Sequence, residues 1–193
     1  MLQTKRSYLA IGSALLLASC GVESDLPESD ESSSTANATS ETIVAADGLQ
    51  LRAAGEAELI SLPFGTPMAK TVSAVSAQTE IEGIASANDE CGAGPMQFVT
   101  FGDLKLNFQD EAFVGWFIDG ASPIVKTPEA VGIGSIRETA VAQMPIVMQP
   151  DSTLGNEFLS DRGADGFIGG FLSGTDGNAV VESLYAGTNC FFR

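Results

Sequence analysis

Seven short stretches of the chain carry apolar residues in the patterns of β-strands. A period of two, bounded by turn-forming residues, is the main sequence signal for a strand. The predicted strands cover residues 97–101, 104–108, 113–118, 146–148, 157–159, 167–172 and 180–185. Residues 109–111 have a suitable length for a hairpin loop, and residues 173–178 are rich in turn formers.

Two further stretches have the apolar spacing of a short amphipathic helix. Spacings of four, seven or eight residues place side chains on one helix face. The residues on these faces are Met68, Val72 and Val75 in the first stretch, and Ile136, Ala140, Val141 and Met144 in the second. We therefore predict one short helix at each place.

The two predicted helices have similar beginnings, at an offset of 69 residues along the chain. In each, an apolar residue and a glycine precede a hydroxyl residue, which is Thr66 or Ser135. We predict that both hydroxyl residues are N-caps, that Pro67 is the first helical residue, and that Ser135 forms a capping box with Glu138.

A run of predicted strands follows each helix, which favours an α+β fold with antiparallel sheet. We predict two half-repeats, at about 43–125 and 126–193, with short helices on one face of the sheet. The lengths and turn spacing also permit a mostly β sandwich. The residues from 43 to 193 have the size of one globular domain.

The N-terminus has the pattern of an export signal. Lys5 and Arg6 precede an apolar stretch at 8–18, which is too short to span a membrane as a helix. Leu17-Ala18-Ser19-Cys20 resembles the bacterial lipobox, so we predict a signal peptide at 1–19 and lipidation of Cys20. The alternative is an ordinary secretory signal that is cut elsewhere.

Residues 20–42 follow as a predicted lipid anchor and tether. Beyond Cys20 they are mainly Ser, Thr, Asp, Glu, Asn and Ala, which cannot bury enough apolar area to order the chain. We predict an exported protein that a lipid holds on the cell envelope, at the outer membrane or on the outer face of the plasma membrane.

Charge and composition exclude several classes of function. The chain has a net charge of −16, and an acidic surface repels nucleic acid, which we therefore exclude as a partner. The absence of histidine excludes Ser-His-Asp and Cys-His catalysis and histidine metal sites. We predict no enzyme activity, no catalytic residues, no cofactor and no metal. We interpret Asp161, Asp165 and Asp176 as turn residues, with Ca²⁺ binding through their carboxylates as the alternative.

Two kinds of residue in the domain are candidates for a site. Cys91 and Cys190 are predicted to form a disulfide, because an exported domain with two cysteines allows one bridge.

The strand at 113–118 is apolar on both faces, with Phe113 and Phe117 on one side. A central strand covered on both sides explains this pattern. Alternatively, Val114, Trp116 and Ile118 on its other side form a partner-binding surface.

Several segments resemble those of known families. The paired helix beginnings, each before an antiparallel meander, resemble the tandem-repeat modules of β-lactamase inhibitory protein and the small assembly lipoproteins of the SmpA/OmlA type. The segments CGAGP (91–95), GIGS (132–135), STLG (152–155) and YAGTNCFFR (185–193) resemble those of a family of uncharacterised bacterial lipoproteins. The resemblance implies helices on one sheet face and a partly open opposite face.

These observations together predict a non-enzymatic, lipid-anchored envelope lipoprotein with a protein-binding or assembly role. Its partners would be the membrane, through the N-terminal lipid, and another envelope protein. An inhibitor of a secreted hydrolase is the alternative, suggested by the half-repeats. A carboxylate-based hydrolase is the third hypothesis, since the domain contains 19 acidic residues.

Overall fold

A computed structural model describes residues 40–122 and 125–191. They belong to one compact unit. The predicted signal peptide, Cys20 and nearly all of the predicted tether lie outside the described residues. Glu41 and Thr42, assigned above to the tether, instead belong to the first strand. No helix in the described part of the chain is long and apolar enough to cross a membrane.

The described residues are mostly β, and they form two α-helices and 12 strands in two sheets. The α+β prediction therefore holds in a sheet-dominated form. The strands are β1 (Glu41–Ala45), β2 (Gly48–Arg52), β3 (Ile60–Pro63), β4 (Ile84–Asn88), β5 (Met96–Phe101), β6 (Leu104–Gln109), β7 (Ala112–Ile118), β8 (Val125–Lys126), β9 (Val147–Met148), β10 (Glu157–Asp161), β11 (Phe167–Leu172) and β12 (Val181–Gly187). The helices are α1 (Met68–Thr79) and α2 (Arg137–Gln143).

The strands form a short and a long sheet. The short sheet has the order β3-β2-β1-β8, and its β1–β8 pair is parallel. The long sheet has the order β4-β5-β6-β7-β12-β11-β10-β9 and is antiparallel throughout. It therefore consists of two four-stranded meanders that meet at the β7–β12 pair.

The core lies on one face of the long sheet, which we call the inner face. Its register pairs Leu106 with Trp116 and Leu104 with Ile118, and all four side chains are buried. The Trp116 indole Nε1 donates a 2.8 Å hydrogen bond to the carbonyl oxygen of Ala45 in the short sheet. Both helices pack into this core through Val75, Ala140 and other residues.

A register shift in β7 changes which side chains share a face. Asn107 pairs with Gly115 but Phe108 pairs with Phe113, which leaves Val114 as an extra residue. Such a bulge reverses the alternation beyond it. Phe113 therefore lies in the inner core, and Val114 packs against the separate cluster around Cys91. The prediction that Phe113 shares a face with Phe117, and Val114 a face with Trp116 and Ile118, was therefore wrong.

The helix beginnings also differ from the prediction. Pro67 and Ile136 are the N-cap residues, and neither makes a side-chain capping bond. Both residues form isolated β-bridges, so each helix begins one residue later than predicted. Carbonyl oxygens of Glu111 and Ala179 accept hydrogen bonds from the first helical N–H groups, at 2.7 Å. Backbone from the meanders thus replaces the predicted side-chain caps.

Candidate functional site

The outer face of the long sheet presents polar and aromatic side chains on strands that are apolar on the inner face. On β6, Lys105 and Asn107 alternate with buried Leu104, Leu106 and Phe108. Successive side chains of a strand point to opposite faces, so both polar residues face outward.

Residues 188–191, which we call the C-terminal strap, cross this face. The Thr188 N–H donates to the Val114 carbonyl at 2.8 Å. The Asn107 side-chain amide donates to the Thr188 carbonyl at 2.9 Å and to Asn189 Oδ1 at 2.8 Å. Gly115 permits this approach, because a Cβ there would lie 2.2 Å from the Thr188 carbonyl oxygen.

A disulfide fixes the end of the strap to the loop before β5. The sulfurs of Cys91 and Cys190 lie 2.08 Å apart, which agrees with the predicted pair. Cys91 is buried together with Met96 and Phe98, so the bridge rests on a small apolar cluster of its own. The strap is therefore held by a covalent bond as well as by hydrogen bonds.

A cavity of about 450 Å³ lies between the strap and strands β4 to β7. Its aromatic and polar walls include Phe98, Lys105, Asn107, Phe117, Asn189 and Phe191. The Lys105 ammonium nitrogen lies 5.6 Å from the centre of the Phe117 ring, within the range of a cation–π interaction. Four other cavities in the described part of the chain are smaller, at about 220 to 340 Å³.

The other half of the outer face contains a buried acid. Glu157 on β10 is 1% exposed, and its carboxyl group accepts hydrogen bonds from the hydroxyls of Tyr185 and Ser152. The Tyr185 ring crosses β11 over Gly169 to reach it. These contacts tie β12, β10 and the loop before β10 together.

Phe191 of the strap joins the two halves of the outer face. Its ring centre lies 4.9 Å from that of Tyr185, 6.0 Å from Phe171 and 6.1 Å from Phe117. Edge-to-face pairs at such distances are favourable. The strap therefore forms one wall of the cavity and also covers the tyrosine that binds Glu157.

The proposed partner surface at Val114, Trp116 and Ile118 does not exist in the described structure. Trp116 is 0% exposed and Ile118 is 2% exposed, because both face the short sheet and the helices. Val114 lies on the opposite face and is partly buried. The interpretation of a central strand covered on both sides is the one that fits.

The predicted turn aspartates occupy turns or their edges. Asp161 Oδ1 accepts a 2.8 Å hydrogen bond from the Gly163 N–H, and Asp176 Oδ1 accepts one from the Asn178 N–H at the same distance. Asp165 ends a short 3₁₀ helix. Within the described residues, no three acidic or cysteine side chains are grouped as metal ligands would be.

Comparison with known proteins supplies no relative for this arrangement. No protein-family model, curated protein or solved structure significantly matches the chain. The function must therefore be inferred from the geometry of the chain itself.

Sequence reasoning missed the residues of the outer face. The alternation of Lys105 and Asn107 with leucines was the available signal, since it marks a polar surface on an otherwise apolar strand. The adjacent glycines Gly169 and Gly170 were a second signal, because glycine inside a strand indicates close approach of another group.

Proposed function

We propose that this chain is a non-enzymatic envelope lipoprotein, anchored through Cys20, that binds another protein by accepting an extended segment at β4. The observation that carries the proposal is the unblocked edge of the long sheet at β4. The predicted anchor supports it, because acyl chains would hold this edge at a membrane surface, within reach of other envelope proteins.

The two edges of the long sheet differ in protection. β4 contains neither a charged residue nor proline, and its described backbone hydrogen bonds go only to β5. At the other edge, β9 is two residues long and lies between Pro145 and Pro150. Natural sheets block their edges with short strands, prolines and charges. β9 has such protection and β4 does not.

The charge around β4 favours a basic partner. Glu82 lies before the strand, and Asp89 and Glu90 follow it, all exposed. An incoming strand with lysine or arginine near its ends would meet opposite charge there. A second copy of this chain would instead bring the same acids and a net charge of −16. We therefore assign the edge to an extended basic segment of a different protein.

A matched pair of variants tests this proposal. Ile84 on β4 and Val147 on β9 are both exposed apolar residues on edge strands, at 72% and 61%. Lysine at an edge discourages strand addition. Affinity capture from native envelope with the full lipidated chain should enrich one partner with wild type and with Val147→Lys, but not with Ile84→Lys. A partner that Ile84→Lys retains fully, or no reproducible partner at all, would contradict the proposal.

A second candidate function is inhibition of a secreted hydrolase, favoured by the paired arrangement of the long sheet. We infer that its two halves are related: α1 precedes β4 to β7, and α2 precedes β9 to β12. Equivalent bridges support this, since Pro67 pairs with Ala112 and Ile136 pairs with Val180. The resemblance to tandem-repeat inhibitory modules implies such halves. Inhibition of one enzyme in a panel of secreted hydrolases would favour this candidate.

A further inference from the structure

We propose that the outer-face cavity binds a small aromatic carboxylate that also carries an N–H or O–H donor, of the size of an N-acylated aromatic amino acid. This site goes beyond the proposed function, because it uses side chains under the strap rather than the backbone edge of β4. Ile84, which the edge test alters, does not line the cavity.

Lys105 supplies the charge that a carboxylate needs. In a chain with 25 acidic residues, Arg52 pairs with Glu41 and Arg162 pairs with Glu129. Lys105 has no ion-pair partner among the described residues and is only half-buried. The cation–π interaction with the Phe117 ring holds its ammonium group at the cavity wall. A ligand carboxylate there would gain a charge-assisted hydrogen bond.

Asn107 supplies an acceptor for a ligand donor. Its amide nitrogen is occupied by the strap, whereas its Oδ1 atom is buried and has no hydrogen-bond partner among the described residues. Asn107 is 1% exposed and lines the cavity. Buried polar atoms are nearly always paired, so we assign the unpaired acceptor of this cavity-lining residue to an incoming ligand donor.

The remaining walls suit a flat aromatic ring. Phe98, Phe117 and Phe191 come from β5, β7 and the strap, so aromatic surface approaches from three elements. A volume of about 450 Å³ is within the range of small-molecule sites. The disulfide and the Asn107 hydrogen bonds hold the strap wall in place, so the ligand does not have to order it.

A pair of probes that differ only at the carboxyl group tests the assignment. N-acetyl-L-tyrosine carries the ring, the donors and a carboxylate, and N-acetyl-L-tyrosinamide replaces the carboxylate with an amide. Titrations of the ¹⁵N-labelled full-length protein, followed by NMR, should show saturable shifts centred on β6, β7 and the strap for the acid. The amide should bind about tenfold more weakly, because the charge-assisted bond to Lys105 is lost.

Two lysine variants separate the site from general electrostatics. Lys105→Met should weaken binding of the acid about tenfold and remove the preference for acid over amide. Lys126→Met makes the same change of charge at an exposed residue of β8, and it should leave the affinity for the acid and the preference for acid over amide unchanged. Shifts that do not saturate or lie elsewhere, equal affinity for the two probes, or full binding by a folded Lys105→Met protein would each overturn the proposal.

Discussion

Tyr185 on β12 donates a hydrogen bond from its phenol to the buried carboxyl group of Glu157 on β10, across the intervening strand β11. The ring reaches that far because Gly169 on β11 has no side chain. A Cβ at Gly169 would lie 2.2 Å from the tyrosine ring. One glycine thus permits a side-chain link between two strands that are not neighbours.

Replacement of Gly169 by alanine should destabilise the domain. The added methyl group must displace the Tyr185 ring, and such overpacking costs about 1–3 kcal/mol. Urea denaturation followed by circular dichroism measures the loss. Gly177→Ala is the matched control, since nothing lies within 4 Å of a Cβ at Gly177. Equal midpoints for the two variants would show that the ring does not occupy this space.

Tyr185→Phe should cost about 1–3 kcal/mol, because it removes a hydrogen bond from a buried acid. A double-mutant cycle with Glu157→Gln isolates the pair, and the two losses should be less than additive. The free energies of unfolding of the four proteins provide the measurement. Strict additivity would mean that the two side chains do not interact in solution.

The ion pair between Glu129 and Arg162 should make stability depend on acid pH. Burial raises the pKa of Glu129, but hydrogen bonds from Arg162 and the backbone, with the charge of Arg162, lower it by more, so the net pKa lies below the ordinary glutamate value. The folded state therefore binds fewer protons there. The stabilisation is present above the ordinary glutamate pKa and is lost as the pH falls through the folded pKa.

Arg162→Gln should cost about 1 kcal/mol at neutral pH, and the difference from wild type should shrink in acid. Denaturation series at several pH values measure both effects. The comparison variant is Arg52→Gln, whose partner Glu41 lies 3.7 Å away in a more exposed pair. It should lose less stability. An Arg162→Gln loss that stays constant down to acid pH would contradict the stated origin of the shift.

Trp116 should be shielded from solvent in the folded protein. It is the single tryptophan of the chain and is 0% exposed, so the fluorescence comes from one buried site. Acrylamide should quench this fluorescence far less in the native protein than in urea. Comparable quenching in the two states would show that Trp116 is exposed to solvent in the folded protein.

The seven strands predicted from apolar patterns all occur in the long sheet, because local alternation reflects its buried inner face. Strand β4 was missed because its small residues have weak β propensity and it depends on pairing with β5. Strand β8 is two residues long and pairs in parallel with distant β1. Such pairing leaves no local pattern.

The cavity was beyond local sequence reasoning for a related reason. Lys105 and Asn107 are recognisable as polar positions, but the wall opposite them comes from residues about 80 positions later, as the Asn107–Thr188 hydrogen bond shows. The disulfide prediction brought Cys91 and Cys190 together without indicating which sheet face the strap would cover. Only the three-dimensional register of β6 and β7 decides that.

Hydrogen–deuterium exchange of the captured complex tests the central proposal most directly. If a partner adds a strand to the long sheet, the amides of Ile84–Asn88 should exchange more slowly in the complex than in the free protein. Those of Val147–Met148 at the opposite edge should not change. Unaltered exchange at β4 in a complex that is otherwise protected would contradict strand addition and place the partner elsewhere.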